Sequence, residues 1–169
     1  MRESDISQVR DLERQAFTTT WQEEAFRNEL RNNPAAVYIV LREPGNDRLA
    51  GYAGFWLVED EAHVTSIAIL PELRGGGAGS RLLFSLVCQA RDRGARWVTL
   101  EVRADNVPAQ KLYKRFGFAK VGTRKNYYEG IVDGWILWAG NLQSVLYRQR
   151  LLAIAEKWPE IPEELGELK

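Results

Sequence analysis

Fourteen residues, Ile67 to Ser80 (IAILPELRGGGAGS), constrain this chain more than any others. An apolar run ends at Pro71, and Arg74 is then followed by Gly75, Gly76, Gly77, Ala78 and Gly79. An amphipathic segment, Arg81 to Arg93, begins at once. The pattern reads as strand, glycine-rich loop and helix start. Glycines allow positive φ and a close backbone approach. A helix N-terminus adds unpaired N–H groups and partial positive charge. Together these make a cradle for a phosphate or pyrophosphate, so the loop is expected to hold a phosphate-bearing cofactor.

The glycine spacing narrows the choice. A Walker loop needs Gly-Lys-Ser/Thr at its end, and Ala78-Gly79-Ser80-Arg81 lacks the lysine. Gly75, Gly77 and Ser80 do not give the G-x-G-x-x-G of a dinucleotide fold. What remains is Arg-x-x-Gly-x-Gly, met by Arg74, Gly77 and Gly79.

The rest of the chain supplies a setting for that loop. Ile6, Val9, Leu12, Ala16 and Phe17 recur at helical spacing, with Asp5 as an expected cap. Trp21, Ala25, Phe26 and Leu30 suggest a second helix, closed before Pro34. Residues 36–42 and 49–58 read as strands, the latter weakened or bulged by Gly51 and Gly54. A further strand is expected over 62–70. After the loop, Leu82, Leu83, Leu86, Val87 and Ala90 form an apolar helical face that Gly94 closes. Residues 96–103 alternate, with Val98, Leu100 and Val102 opposite Trp97, Thr99, Glu101 and Arg103. Pro108 opens a helix bearing Ala109, Leu112, Tyr113 and Phe116, which Gly117 stops. Phe118 to Val121 is expected to begin another strand, and Trp135 to Ala139 to form a last one. The order is α, α, β, β, β, α, β, α, β, β. Beyond Gly140, Leu142, Val145, Leu146, Leu151, Leu152, Ala155 and Trp158 sketch a last helix, broken by Pro159 and Pro162 before an acidic end. It is expected to pack on the domain, with a partner- or dimer-binding role as the sharper alternative.

Composition excludes several classes. Lys plus Arg and Asp plus Glu number 23 each, which gives no support to a dedicated nucleic-acid binder. No apolar run reaches the length of a membrane span, and the charged start Met1-Arg2-Glu3-Ser4-Asp5 is no signal segment. The single cysteine, Cys88, excludes an internal disulfide and suits a reducing cytoplasm; it reads as a small buried side chain. His63 is the only histidine and is read as structural, so no metal is expected.

Several blocks occur in order and at set intervals: Ala68-Ile69 with Arg74 to Ser80, Leu100 to Asn106, Leu112-Tyr113, Gly117-Phe118 and Asn126-Tyr127-Tyr128. This set resembles the Gcn5-related N-acetyltransferase superfamily (GNAT), and within it the RimI-type enzymes that acetylate the N-terminal alanine of a small-subunit ribosomal protein. The resemblance covers roughly residues 5–139. It implies a GNAT α/β fold with a mixed, mostly antiparallel sheet, splayed between strands 62–70 and 96–103 with the cofactor in the gap. The domain would span 1–140, and 141–169 would be a helical extension with an acidic tail. It implies acetyl-coenzyme A as donor, coenzyme A as product and a protein N-terminus as acceptor.

By the same resemblance, Arg74, Gly75, Gly76, Gly77, Ala78, Gly79 and Ser80 hold the pyrophosphate. The backbone of Ile67, Ala68 and Ile69 binds the pantetheine arm like an added strand, with Asn106 contributing. Glu101 is the general base and Tyr113 the general acid. Trp21, Tyr127 and Tyr128 flank the acceptor. Residue type alone leaves other roles open. Glu101 serves equally as a surface glutamate beside Arg96 and Arg103, Tyr113 as a core tyrosine, and Asn106 as an N-cap. Chemistry favours an α-amine acceptor. Its pKa of about 7.7–8.0 leaves about a quarter to a third of it neutral near pH 7.5, against about one lysine in a thousand. A modest carboxylate base then suffices. The short Glu129-Gly130-Ile131-Val132 loop and the extension past 140 depart from the family pattern and bear on the exact substrate. The alternatives are another amine (other N-termini, lysine or a small molecule) and a non-catalytic acyl-coenzyme A module.

Overall fold

The computed structural model describes residues 1–158. Two compact units make up the chain. One comprises Met1–Val58 with Val64–Leu86, the other Glu59–His63 with the chain from Val87 onward. The elements run α1 (Ile6–Ala16), α2 (Glu23–Asn32), β1 (Ala36–Arg42), β2 (Leu49–Val58), β3 (Glu61–Ile69), α3 (Ala78–Asp92), β4 (Trp97–Arg103), α4 (Val107–Arg115), β5 (Ala119–Tyr128), β6 (Val132–Gly140) and α5 (Val145–Ala155). The strands form one sheet in the order β1-β2-β3-β4-β6-β5. β1/β2, β4/β6 and β6/β5 are antiparallel. β2 and β3 are joined by Glu59-Asp60 alone, a connection only antiparallel neighbours can make. β3 and β4 pair in parallel over Glu61–His63 against Trp97–Thr99. The sheet is thus mixed and mostly antiparallel, as the sequence predicts.

The first unit is built on the apolar stripe of α1. Ile6, Val9 and Leu12 are buried with Phe26, Tyr38, Leu49, Tyr52, Ala68 and Leu70. Phe26 is the hub: its ring meets Tyr38 and Tyr52 edge-on, each at 6.0 Å. Burying one such side chain is worth about 1.5–3 kcal/mol. Asp5 does not cap α1. Its own backbone is helical, and its carboxylate instead accepts from the Arg2 N–H at 2.7 Å and pairs with Arg42 at 2.5 Å. The β2 glycines have distinct reasons. A Cβ at Gly54 would lie 2.3 Å from the Tyr38 ring, and one at Gly51 would lie 2.6 Å from the Ala68 carbonyl oxygen. A register shift does occur beside Gly51, where Leu41 faces Gly51 and Arg42 faces Leu49.

α3 starts at Ala78, ahead of the expected Arg81, because the Gly77 carbonyl accepts from both Ser80 N–H (3.0 Å) and Arg81 N–H (3.1 Å). Cys88 is buried in it, as expected.

In the second unit β4 buries Val98, Leu100 and Val102, but also Thr99, against strict alternation. β5 begins at Ala119, as expected, and runs to Tyr128. Its side chains are almost all exposed, so it shows no apolar period, and its pairing with β6 alone defines it. α5 exists, but its inward face differs from the expected one. Tyr147, Leu151, Ile154 and Ala155 are buried, whereas Val145 and Leu146 are exposed and Leu142 is buried ahead of the helix. The spacing from Tyr147 follows the i, i+4, i+7, i+8 period. Ser144 caps α5 by accepting from Tyr147 N–H, and the Tyr147 hydroxyl donates to the Phe116 carbonyl at 2.8 Å. Pro159, Pro162 and the acidic end lie outside the described residues.

Candidate active site

In the first unit, the β3–α3 connection has the form a phosphate group requires. Gly75 and Gly77 have φ of +83° and +93°, conformations in which only glycine is unstrained. A Cβ built at Gly75 would meet nothing within 4 Å, so the backbone is open to a ligand. Ala78 and Gly79 open α3, and their N–H groups have no acceptor within the helix by position. Ser80 is buried, and its N–H is already taken by Gly77. Arg74 is exposed and held at the loop by its Nε, which donates to the Ile69 carbonyl at 3.1 Å. Ala68 and Ile69 are buried and Ile67 half-buried, past the last β3–β4 pair at His63. Backbone donors, open space and a nearby cation fit a pyrophosphate.

Trp21 lies in the same unit, in the turn between α1 and α2. It is half-buried, its ring 5.5 Å from that of Phe26. Its backbone N–H donates to the Glu13 carboxylate at 2.9 Å. Glu13 gives no sequence signal beyond a charged residue inside an apolar helical stripe.

The second unit carries Glu101, Asn106, Tyr113, Tyr127 and Tyr128. Glu101 lies at the centre of β4, half-buried, opposite Ile136 of β6. Its cationic partner is Arg124 of β5 at 3.1 Å, not Arg96 or Arg103. Arg96 pairs with Asp60, and Arg103 with Asp105 and Glu129. The partner was illegible in the sequence because it depends on the full length of β5. Asn106 caps α4, its side-chain oxygen accepting from Ala109 N–H at 3.2 Å. Tyr113 is buried, with its ring 5.7 Å from Phe118. Burial, and secondarily the Tyr128 hydroxyl, pushes its phenol well above the ordinary tyrosine value, so it holds its proton at any neutral pH. Tyr128 is likewise pushed up to about 12, by burial first and then by Tyr127 and Glu101. Tyr127 and Tyr128 meet edge-on at 5.1 Å. Arg103 lies over the Tyr128 ring and Arg124 over the Tyr127 ring. Tyr127 is half exposed and covers Gly134, where a Cβ would lie 3.0 Å from its ring.

His63 sits 3.1 Å from Glu61, and among the described residues no cluster could hold a metal ion. No helix among them is long and apolar enough to cross a membrane.

A glycine loop joining a strand to a helix N-terminus in a mixed α/β sheet defines a class, the α/β proteins whose fold offers a cradle fit for a phosphate group. Residues 6–118 match the model of the acetyltransferase (GNAT) family, and the chain belongs to that family. Over 139 residues it is 45% identical to a Bacillus subtilis (strain 168) protein named "Putative ribosomal protein bS18-alanine N-acetyltransferase", covering 82% of this chain and 91% of the relative. It is 38% identical over 124 residues to the ribosomal protein bS18-alanine N-acetyltransferase of Haemophilus influenzae, covering 73% and 82%. The crystal structure of the Escherichia coli ribosomal-protein-S18-alanine N-acetyltransferase superposes with a TM-score of 0.74 at 29% identity, over 83% of this chain and 90% of that one.

Proposed function

We propose that this protein transfers an acetyl group from acetyl-coenzyme A to the α-amine of a protein N-terminus, alanine preferred, on a small-subunit ribosomal protein in the cytoplasm. The observation that carries the reading is the likeness, across 91% and 82% of two relatives, to enzymes named for that reaction. Residues 1–140 form the transferase domain in this reading, and 141–169 an extension.

When bound, the donor supplies an activated acetyl thioester. Arg74, Gly75, Gly76, Gly77, Ala78 and Gly79 hold its pyrophosphate, with Ser80 shaping the first turn of α3. The backbone of Ile67, Ala68 and Ile69, with Asn106, holds the pantetheine arm. Glu101 accepts the proton that the amine sheds as its C–N bond forms, directly or through one water. Arg124 occupies one of its two oxygens, leaving the other for that proton. Tyr113, kept protonated by burial, donates to the departing thiolate. Trp21, Tyr127 and Tyr128 border the acceptor. Transfer is direct, with no acyl-enzyme.

The test is turnover against a panel of amines: peptides beginning Ala, Ser, Met and Gly, an N-terminally blocked peptide with a free lysine, and spermidine. The expected result is turnover of the Ala peptide that disappears on blocking. Turnover that survives blocking, or appears only with spermidine, would overturn the α-amine assignment.

A further inference from the structure

α1 carries one carboxylate on its buried face. Glu13 is 1% exposed, beside Leu12 in a helix whose other inward residues are apolar. Burying a carboxylate is costly unless its oxygens are satisfied, and an aliphatic side chain would fill the same space without that cost. Both oxygens here are committed. Oε1 accepts from the Tyr52 hydroxyl at 2.5 Å, and Oε2 accepts from the Trp21 backbone N–H at 2.9 Å. All three residues lie in the first unit.

Trp21 belongs to no helix or strand, so neither ladder nor helix fixes its backbone. The Phe26 contact holds the ring but leaves the peptide plane free to turn. The carboxylate supplies what is missing: a fixed acceptor that sets the direction of one N–H, itself held by Tyr52.

We propose that Glu13 is a positioning residue for the acceptor, fixing the Trp21 backbone and tying the α1–α2 turn to β2 through Tyr52. The proposal rests on the reading that Trp21 borders the acceptor N-terminus. Glu13 itself touches no substrate. It sets how tightly the first acceptor residue is gripped, and leaves the hold on the cofactor unchanged.

The test measures KM for an Ala-starting peptide and KM for acetyl-coenzyme A separately, in the wild type, Glu13→Gln and Glu13→Ala. Glutamine is isosteric but offers one acceptor oxygen to two donors. Glu13→Gln is expected to raise the peptide KM about fivefold and Glu13→Ala about 20-fold. The acetyl-coenzyme A KM and kcat should stay within about twofold. If Glu13→Ala does not fold, Glu13→Gln decides alone. An unchanged peptide KM in folded Glu13→Gln overturns the proposal. So does a parallel rise in both KM values, the signature of a general packing role. Failure of the α-amine reading is told apart without any variant, as absence of wild-type turnover on every free α-amine peptide, and failure of the Trp21 placement as an unchanged peptide KM in folded Trp21→Ala.

Discussion

Glu101 is the residue on which the chemistry turns. It is half-buried at the centre of β4, with Arg124 on one oxygen. Glu101→Gln keeps the shape and removes the base, so kcat should fall about 10²- to 10⁴-fold, with coenzyme A affinity by calorimetry unchanged. Tyr113→Phe removes a proton donor from a buried site and should lower kcat in the same way. Wild-type turnover in either variant would remove that residue from the mechanism. The sequence placed Glu101 in the right strand by alternation, and Asn106 at a helix start by its type. It could not supply Arg124, nor the two donors on Glu13, because these depend on which elements lie beside one another in the fold.

At the scale of elements, the β3–α3 loop and α5 make opposite lessons. The loop was legible because its glycines are demanded locally, by positive φ at Gly75 and Gly77. Gly75→Ala has room for its methyl group, so its effect is backbone strain alone. We expect a loss of about 1 kcal/mol in urea unfolding and a severalfold rise in the acetyl-coenzyme A KM, with the peptide KM unmoved. α5 was legible as a helix, but its face was not. Its aliphatic residues run all round, and the deciding contact is polar: the Tyr147 hydroxyl on the Phe116 carbonyl. Tyr147→Phe should cost about 1–2 kcal/mol of stability, because that carbonyl is left buried without a donor. An unchanged urea midpoint would show that the bond contributes nothing. The far end of β5 is not legible in the sequence for a related reason, since an outer strand with solvent on its side chains has no apolar period to detect.

For the molecule as a whole, the order of elements and the family were readable, and the division into two compact units was not. β3 and α3 each pass from one unit to the other, so no linker or change of composition marks the boundary. One global property follows from buried phenols. Tyr52, Tyr113 and Tyr147 are all held well above the ordinary tyrosine value, chiefly by burial. Each keeps its proton in the folded state after the unfolded chain, with a pKa of about 10, has lost it. Stability from these groups is therefore complete below pH about 10 and falls as pH rises through the unfolded value, by up to about 1.4 kcal/mol per pH unit for each tyrosine. Unfolding midpoints should be flat from pH 7 to 9 and drop steeply above 10. A flat profile to pH 12 would contradict the burial of these hydroxyls.

β5 is one of the two outermost strands of the sheet, and three of its ten residues, Lys120, Arg124 and Lys125, are basic while none is acidic. A second molecule adding itself along that rim would bring like charges face to face. The rim therefore resists fibre growth and gelation in concentrated solution. Added salt, by screening those charges, would weaken this protection first.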